Sequence, residues 1–138
     1  MSSEAERVMR SWFEEVWNEG RDEAIDRYLD TESVAYGLPQ GPMRGPAGFR
    51  PFYQSLRLVF PDIRVEVGRA ITEGDRVALH CRVSATHTGA PMMGVAPTGK
   101  RVTFDGMVMA LVEGGRCREA WNCFDFLSLY QQLGLAPG

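Results

Sequence analysis

Two titratable side chains stand out because their neighbours in the sequence are apolar. Asp125 lies between Phe124 and Phe126, and His87 continues an alternating apolar run that leads into a glycine-rich segment. A carboxylate and an imidazole can move a proton to and from a reacting molecule, and imidazole does so near neutral pH. The sequence therefore makes Asp125 and His87 candidates for acid/base chemistry.

Asp105 is a third candidate, and each of the three has a purely structural alternative. It interrupts an apolar run, which costs free energy if the carboxylate is buried without a partner. Pairing with Arg82 on a neighbouring strand would remove that cost. Asp125 could instead cap a helix beginning at Phe126, and His87 could be a hydrogen-bonded residue at a strand end.

A second set of side chains could contact a flat, hydrophobic small molecule. Aromatic rings offer apolar surface of the right shape, and a methionine adapts to varied ligands. The candidate ligand-contacting residues are Trp12, Phe52, Tyr53, Met93, Glu119 and Trp121. The segment 89–99, which includes Met93, is predicted to be a long loop that acts as a lid, with an ordinary exposed loop as the alternative. Glu119 could equally be a cross-strand charge partner.

Helical periodicity dominates the first half of the chain. Apolar residues recur at three- and four-residue steps over 5–17, and Ser3 is placed to cap that helix. A second helix is predicted from Asp22, as its cap, to about Leu29. The spacing returns over 46–60, where Pro51 predicts a kink or a later start.

The second half changes to a period of two, which predicts strands. A short strand that includes Val34 is predicted at 33–36, before the main strands, and a short C-terminal helix is predicted after the main strands. The main predicted strands are 63–67, 77–85, 101–113 and 116–124, connected as an antiparallel meander. The strand 101–113 is apolar on both faces, so it is predicted to be central and covered on both sides. Helices separate from an antiparallel sheet indicate the α+β class, with a hollow between the curled sheet and the helices.

Composition limits the classes of partner. The 138 residues fit a single domain (1–138), and a net charge of −3 gives no reason for nucleic acid to bind. No apolar run is long enough for a membrane helix and the N-terminus lacks a secretory signal, so a cytoplasmic protein is expected. The three cysteines form no disulfide or zinc pattern, and no metal site is predicted.

Four strings resemble one known family, the SnoaL-like polyketide cyclases of the NTF2-like superfamily. They are VWNEG, GPAGFRPFYQSLRLVFPD, SATHTGAPMMGVAPTGKRV and EAWNCFDFLSLYQQLG, and together they span nearly the whole chain. The resemblance implies an NTF2-like cone, with three N-terminal helices packed on a curved antiparallel sheet. It also implies a homodimer formed through the outer sheet face and a cofactor-free site inside the cone, where a carboxylate promotes intramolecular aldol ring closure.

The resemblance extends to individual residues. Glu119, Trp121 and Asp125 have the family's spacing and His87 matches too, whereas Ala120 stands where many relatives carry a histidine. The leading hypothesis is a polyketide cyclase-like enzyme that acts on a hydrophobic small molecule, with Asp125 as acid/base and His87 and Asp105 as helpers. The alternatives are a non-catalytic ligand-binding or dimerisation module, and another enzyme on this cone, such as an epoxide hydrolase or a steroid-type isomerase.

Overall fold

The computed structural model describes residues 3–137, in which helices pack on one face of a curved six-stranded sheet. The helical elements are α1 (Glu4–Trp12), a π-helical segment that continues it (Phe13–Asn18), α2 (Ala24–Tyr28), α3 (Gly45–Val59) and α4 (Phe126–Gln132). The strands are β1 (Leu29–Tyr36), β2 (Met43–Arg44), β3 (Arg64–Glu73), β4 (Arg76–Thr86), β5 (Arg101–Glu113) and β6 (Arg116–Phe124). The predicted α+β class is confirmed.

The sheet has the order β2-β1-β6-β5-β4-β3. Strands β3 to β6 form the predicted antiparallel meander, and β1 extends it by pairing in parallel with β6. The short strand predicted at 33–36 is in fact the end of the longer β1, and β2 was not predicted. The extent of β1 depends on its pairing with β6, which is distant in sequence, and β2 is only two residues long, so local periodicity carries little signal for either.

The ends of the helices agree only in part with the sequence patterns. Ser3 caps α1 as predicted, because its hydroxyl accepts a hydrogen bond from the Glu6 N–H at 3.0 Å. Asp22 does not cap α2, since its carboxylate binds Arg50 at 2.9 Å instead. Pro51 does not delay α3, which is helical from Gly45. Pro51 is the seventh of the fifteen residues of α3, its ring is exposed, and its missing N–H removes one hydrogen bond of the helix.

The π-helical segment is held in place by α3. In a π-turn the backbone is wider than in an α-helix, and carbonyl groups are freed for other partners. The Tyr53 hydroxyl donates to the Val16 carbonyl at 2.9 Å, and the Arg57 guanidinium donates to the Trp17 carbonyl at 2.8 Å. These two bonds tie the segment to α3, and its aromatic side chains, Phe13 and Trp17, line the inner cavity.

The central strand β5 is covered on one face only. Its even-numbered residues from Val102 to Val112 are buried against the helices, but Met107 and Met109 on the other face are 55% and 47% exposed. Within the single chain the prediction that both faces are covered is therefore wrong, because the helices lie on the inner side. Within residues 3–137, none of the helices has the length and apolar character needed to cross a membrane.

Candidate functional site

A partly open cavity lies between the inner face of the sheet and the helices, and its volume is about 80 Å³. The aromatic lining residues are Trp12, Phe13, Trp17, Phe49, Phe52, Phe104, Phe124 and Phe126. The aliphatic ones are Met9, Leu29, Ala35, Leu38, Leu56, Ile63, Val65, Val83, Val108 and Ala120. Cys117 and Asn122 complete the lining, so within residues 3–137 no acidic or basic side chain faces this space.

The cavity is smaller than a ring-sized ligand requires. Benzene occupies engineered protein cavities of about 150 Å³, which is nearly twice this volume. Seven lining residues are only partly buried, and four of them have large side chains that border the opening of the cavity: Phe52, Leu56, Phe124 and Phe126. A ligand of one or more rings can therefore enter only when some of these side chains rotate outward.

Aromatic contacts between α1, its π-helical continuation and α3 build the helical wall. Trp12 packs on Phe49 with ring centroids 5.1 Å apart, and Trp17 packs on Tyr53 at the same separation. Of the predicted ligand contacts, Trp12 and Phe52 do line the cavity. Tyr53 does not line it, and burial raises the pKa of its hydroxyl.

Asp125 lies outside the cavity. Its carboxylate accepts a hydrogen bond from the Ser128 N–H at 3.0 Å and caps α4, and its side chain is exposed. The expectation that it projects into the hollow is wrong, because Phe124 and Phe126 take the inward positions on either side of it. The helix-cap alternative describes what is observed. A catalytic role for Asp125 stays a prediction that its position does not support.

Glu119 and Trp121 share one face of β6, but it is the outer one. The Trp121 indole N–H donates to the Glu119 carboxylate at 2.9 Å, and the ring stacks on Tyr36 with centroids 4.2 Å apart. Neither residue contacts the cavity, so their prediction as ligand contacts is not supported. Ala120 points inward and lines the cavity. The position at which the family resemblance implies a histidine is thus a methyl group in the cavity lining.

Asp105 also belongs to the outer face. Its carboxylate accepts a hydrogen bond from the Arg82 guanidinium at 3.1 Å, and His80 lies 3.6 Å from its other oxygen. About half of the Asp105 side chain is exposed to solvent. The cross-strand pair with Arg82 is thus the observed arrangement, and it leaves Asp105 on the opposite side of the sheet from the cavity.

His87 is fully buried, but it does not line the cavity. The Thr98 backbone N–H donates to Nδ1 at 3.2 Å, so Nδ1 is unprotonated and the proton is on Nε2. Nε2 lies 3.1 Å from the Ala90 carbonyl, to which it donates. Both ring nitrogens are therefore engaged in holding the loop that follows β4.

That loop, residues 88–100, does not cover the cavity. The Gly89 and Ala90 N–H groups donate to the last carbonyls of α3, Val59 at 3.2 Å and Leu58 at 2.8 Å. Met93 is 70% exposed, and no residue of the loop lines the cavity. The lid prediction is thus not supported, and the loop instead closes the C-terminal end of α3.

Cys117 and Asn122 are the cavity residues outside the aromatic and aliphatic sets, and sequence reasoning singled out neither of them. Burial raises the pKa of the Cys117 thiol to about 12, so it remains protonated and is a poor nucleophile. Asn122 donates from Nδ2 to the Tyr36 carbonyl at 3.0 Å, where β1 ends. Alternation along β6 groups Asn122 with Ala120 and Phe124, but it does not show that this set faces inward. No group of three His, Cys, Asp or Glu side chains among the described residues is arranged to hold a metal ion.

Comparisons with known proteins agree with the resemblance. A family model for SnoaL-like polyketide cyclases matches residues 7–133. Among curated proteins, none matches the chain significantly.

Three solved structures share the architecture. A protein from Acidithiobacillus ferrooxidans assigned as a polyketide cyclase is 30% identical, with a TM-score of 0.84 over 99% of this chain and 98% of its own. IdmH from Streptomyces antibioticus, also assigned as a polyketide cyclase, is 26% identical, with a TM-score of 0.83 over 96% and 99%. AclR from Streptomyces galilaeus, assigned as a hydroxylase, is 27% identical, with a TM-score of 0.84 over 98% and 87%.

Proposed function

The chain belongs to the SnoaL-like polyketide cyclase family, and on that premise we propose that it binds an apolar, polyketide-like small molecule in its inner cavity and directs ring closure of that molecule. The observation that carries the proposal is the aromatic cavity between the helices and the sheet. A flexible chain held in a fixed shape brings its reacting carbons together, and this confinement can lower a cyclisation barrier by several kcal/mol.

Confinement of the ligand in the cavity supports the proposed ring closure more than acid/base side chains do. An aldol closure needs a base for the carbon acid and a donor for the developing oxyanion. The side chains of Asp125 and Asp105 lie outside the cavity, and both nitrogens of His87 are hydrogen-bonded to the loop. The described lining contributes shape, exclusion of water and the carboxamide of Asn122, without a carboxylate base.

A non-catalytic ligand-binding module is the second candidate. The specific observation in its favour is the absence of an acidic or basic side chain from the cavity lining of residues 3–137. An epoxide hydrolase or a steroid-type isomerase would need a carboxylate directed at the ligand, so these alternatives receive less support from the site.

A cavity-filling variant tests the proposal. The purified protein is first examined by native mass spectrometry for retained small molecules, and it is then incubated with an open-chain aromatic polyketide ester. We expect faster formation of a cyclic isomer than without protein. Ala120→Phe, which fills the cavity, should abolish both binding and the rate increase, whereas Ala96→Phe in the exposed loop should not.

The outcomes separate the two candidates. Binding that is lost in Ala120→Phe without any rate increase in the wild type would favour the ligand-binding module. An added oxygen in the product would point to hydroxylase chemistry, the activity assigned to AclR. Equal binding by the wild type and Ala120→Phe would contradict a cavity site altogether.

We further propose that a second copy of the chain covers the outer sheet face. Met107, Met109 and Trp121 are all about half exposed, and they are neighbours on β5 and β6 because Met109 pairs directly with Trp121. Cys123 pairs with Met107 and is exposed on the same face. A continuous apolar surface on the outside of a sheet is typical of a protein interface. A homodimer would remove this surface from water.

A further inference from the structure

Among residues 3–137, Asn122 is the one carboxamide in the cavity lining, and its orientation is determined by its partner. The Tyr36 carbonyl can only accept a hydrogen bond, so Nδ2 must be the atom that faces it, at 3.0 Å. Oδ1 must then point in another direction. No described residue donates to Oδ1, yet it is not among the buried polar atoms that lack a partner, so it retains accessible surface. Because Asn122 lines the cavity, this surface belongs to the site.

The hydrogen bond from Asn122 Nδ2 joins two backbone segments that are closely packed. A Cβ atom on Gly37 would lie only 1.9 Å from the Asn122 carbonyl oxygen, so the end of β1 packs directly on β6 at this point. Gly37 also has a positive φ of 83°, which suits glycine. An acceptor that is already oriented loses little conformational entropy when a ligand binds to it.

We propose that Asn122 determines which ligands the cavity accepts, by selecting neutral, flat molecules that carry a hydroxyl group, a phenol or an enol, directed at Oδ1. This inference rests on the proposed function, because it names the ligand class of the same site. A hydroxyl donor would satisfy the open acceptor, whereas a methyl group at that point would leave it unsatisfied. A ligand carboxylate would lose its hydration without meeting a cationic side chain.

Three probes of nearly equal shape test this inference: 2-naphthol, 2-methylnaphthalene and 2-naphthoate. Their dissociation constants are measured by isothermal titration calorimetry with the wild type, Asn122→Leu and Gln40→Leu. Gln40 is an exposed carboxamide in the turn after β1, so its variant is the matched control. The ratio of the two neutral probes' dissociation constants is used because a general loosening of Asn122→Leu affects both probes alike.

We expect Asn122→Leu to shift that ratio against 2-naphthol by about fivefold, the value of one hydrogen bond, and Gln40→Leu to leave it unchanged. We also expect 2-naphthoate to bind the wild type most weakly. An unchanged ratio in Asn122→Leu, or tight binding of 2-naphthoate, would overturn the inference while leaving the cavity as the binding site. If neither neutral probe binds the wild type, the inference and the proposed function both fail.

Discussion

Hydrogen-bond partners determine what each titratable side chain of this protein can do. Asp125 holds the N-terminus of α4, Asp105 pairs with Arg82, and His87 joins two parts of a loop. Each of these bonds stabilises the fold, and none of the three side chains faces the cavity. At this scale the site is defined by neutral groups, chiefly the carboxamide of Asn122.

Two substitutions of Asp125 separate a helix cap from a site residue. Asp125→Ala should lower the free energy of unfolding by about 1 kcal/mol, because the Ser128 N–H loses its acceptor, whereas Asp125→Asn should retain most of the stability. Urea denaturation followed by circular dichroism measures both. Ligand binding should be unchanged in the two folded variants. Abolished turnover in a stable Asp125→Asn would instead restore the catalytic prediction.

The hydrogen bonds of Asp62 allow a prediction of how the free energy of unfolding changes with pH. Partial burial favours a higher pKa for its carboxyl group, but hydrogen bonds from the Thr86 N–H and hydroxyl, both 2.7 Å, outweigh it and lower the pKa. A carboxyl group whose pKa is lower in the folded protein than in the unfolded chain stabilises the fold at pH values above the unfolded pKa, about 3.9. This stabilisation is lost as the pH falls through the lower pKa of the folded protein.

The comparison that tests this prediction is Asp62→Asn against the wild type. At pH 7 the variant should be less stable, and the difference should shrink steadily below about pH 4, as the carboxyl group becomes protonated first in the unfolded chain and then in the folded protein. Urea denaturation at a series of pH values measures it, with Glu23→Gln, an exposed carboxylate, as the control. A difference that stays constant down to pH 2 would contradict the assignment.

At the scale of the elements, the loop at 88–100 depends on one side chain, that of His87. His87→Ala removes the acceptor for the Thr98 N–H and the donor to Ala90, so this loop and the end of α3 should open more often. Hydrogen exchange should show loss of protection at Gly89, Ala90 and Gly99. The free energy of unfolding should fall by about 2 kcal/mol or more because a buried ring is also lost.

Thr88→Ala is the control for this change, since Thr88 is exposed in the same loop. Exchange in the loop should be as slow in that variant as in the wild type. Unaltered protection in His87→Ala would mean that the bonds from Gly89 and Ala90 to α3 are sufficient by themselves.

For the whole molecule, the exposed outer face predicts the oligomeric state. Trp121→Glu or Met109→Glu should convert a homodimer to a monomer, because each variant places a charge in the middle of the apolar surface. Sedimentation equilibrium measures the mass. Leu127→Glu is the control, since Leu127 is 58% exposed but lies on α4. A monomeric wild-type protein at micromolar concentration would contradict the dimer.

Thiol alkylation provides an independent readout of the same interface. Burial raises the pKa of Cys81 and Cys117 to about 12, so in the native protein Cys123 is the cysteine that should react at pH 8. Its reaction should be slow in the homodimer and fast in Trp121→Glu. Equal rates in both would place Cys123 outside the interface.

Local periodicity determined much of the architecture. Three- and four-residue spacing identified the first and third helices, and period-two alternation identified the meander from β3 to β6. The Ser3 cap and the grouping of Glu119 with Trp121 on one face of β6 also followed from short-range patterns. These features depend on geometry that repeats within one element, so the sequence alone was sufficient for them.

The tertiary structure alone decided which face became the inside. Alternation separates Glu119 and Trp121 from Ala120 and Asn122, but it does not say which set meets the helices. That choice depends on the parallel pairing of β6 with β1 and on the aromatic wall from α1 and α3, which involve residues far apart in the chain. The same long-range packing turned Asp125 outward and left Asn122 as the polar group of the cavity, which no local pattern encodes.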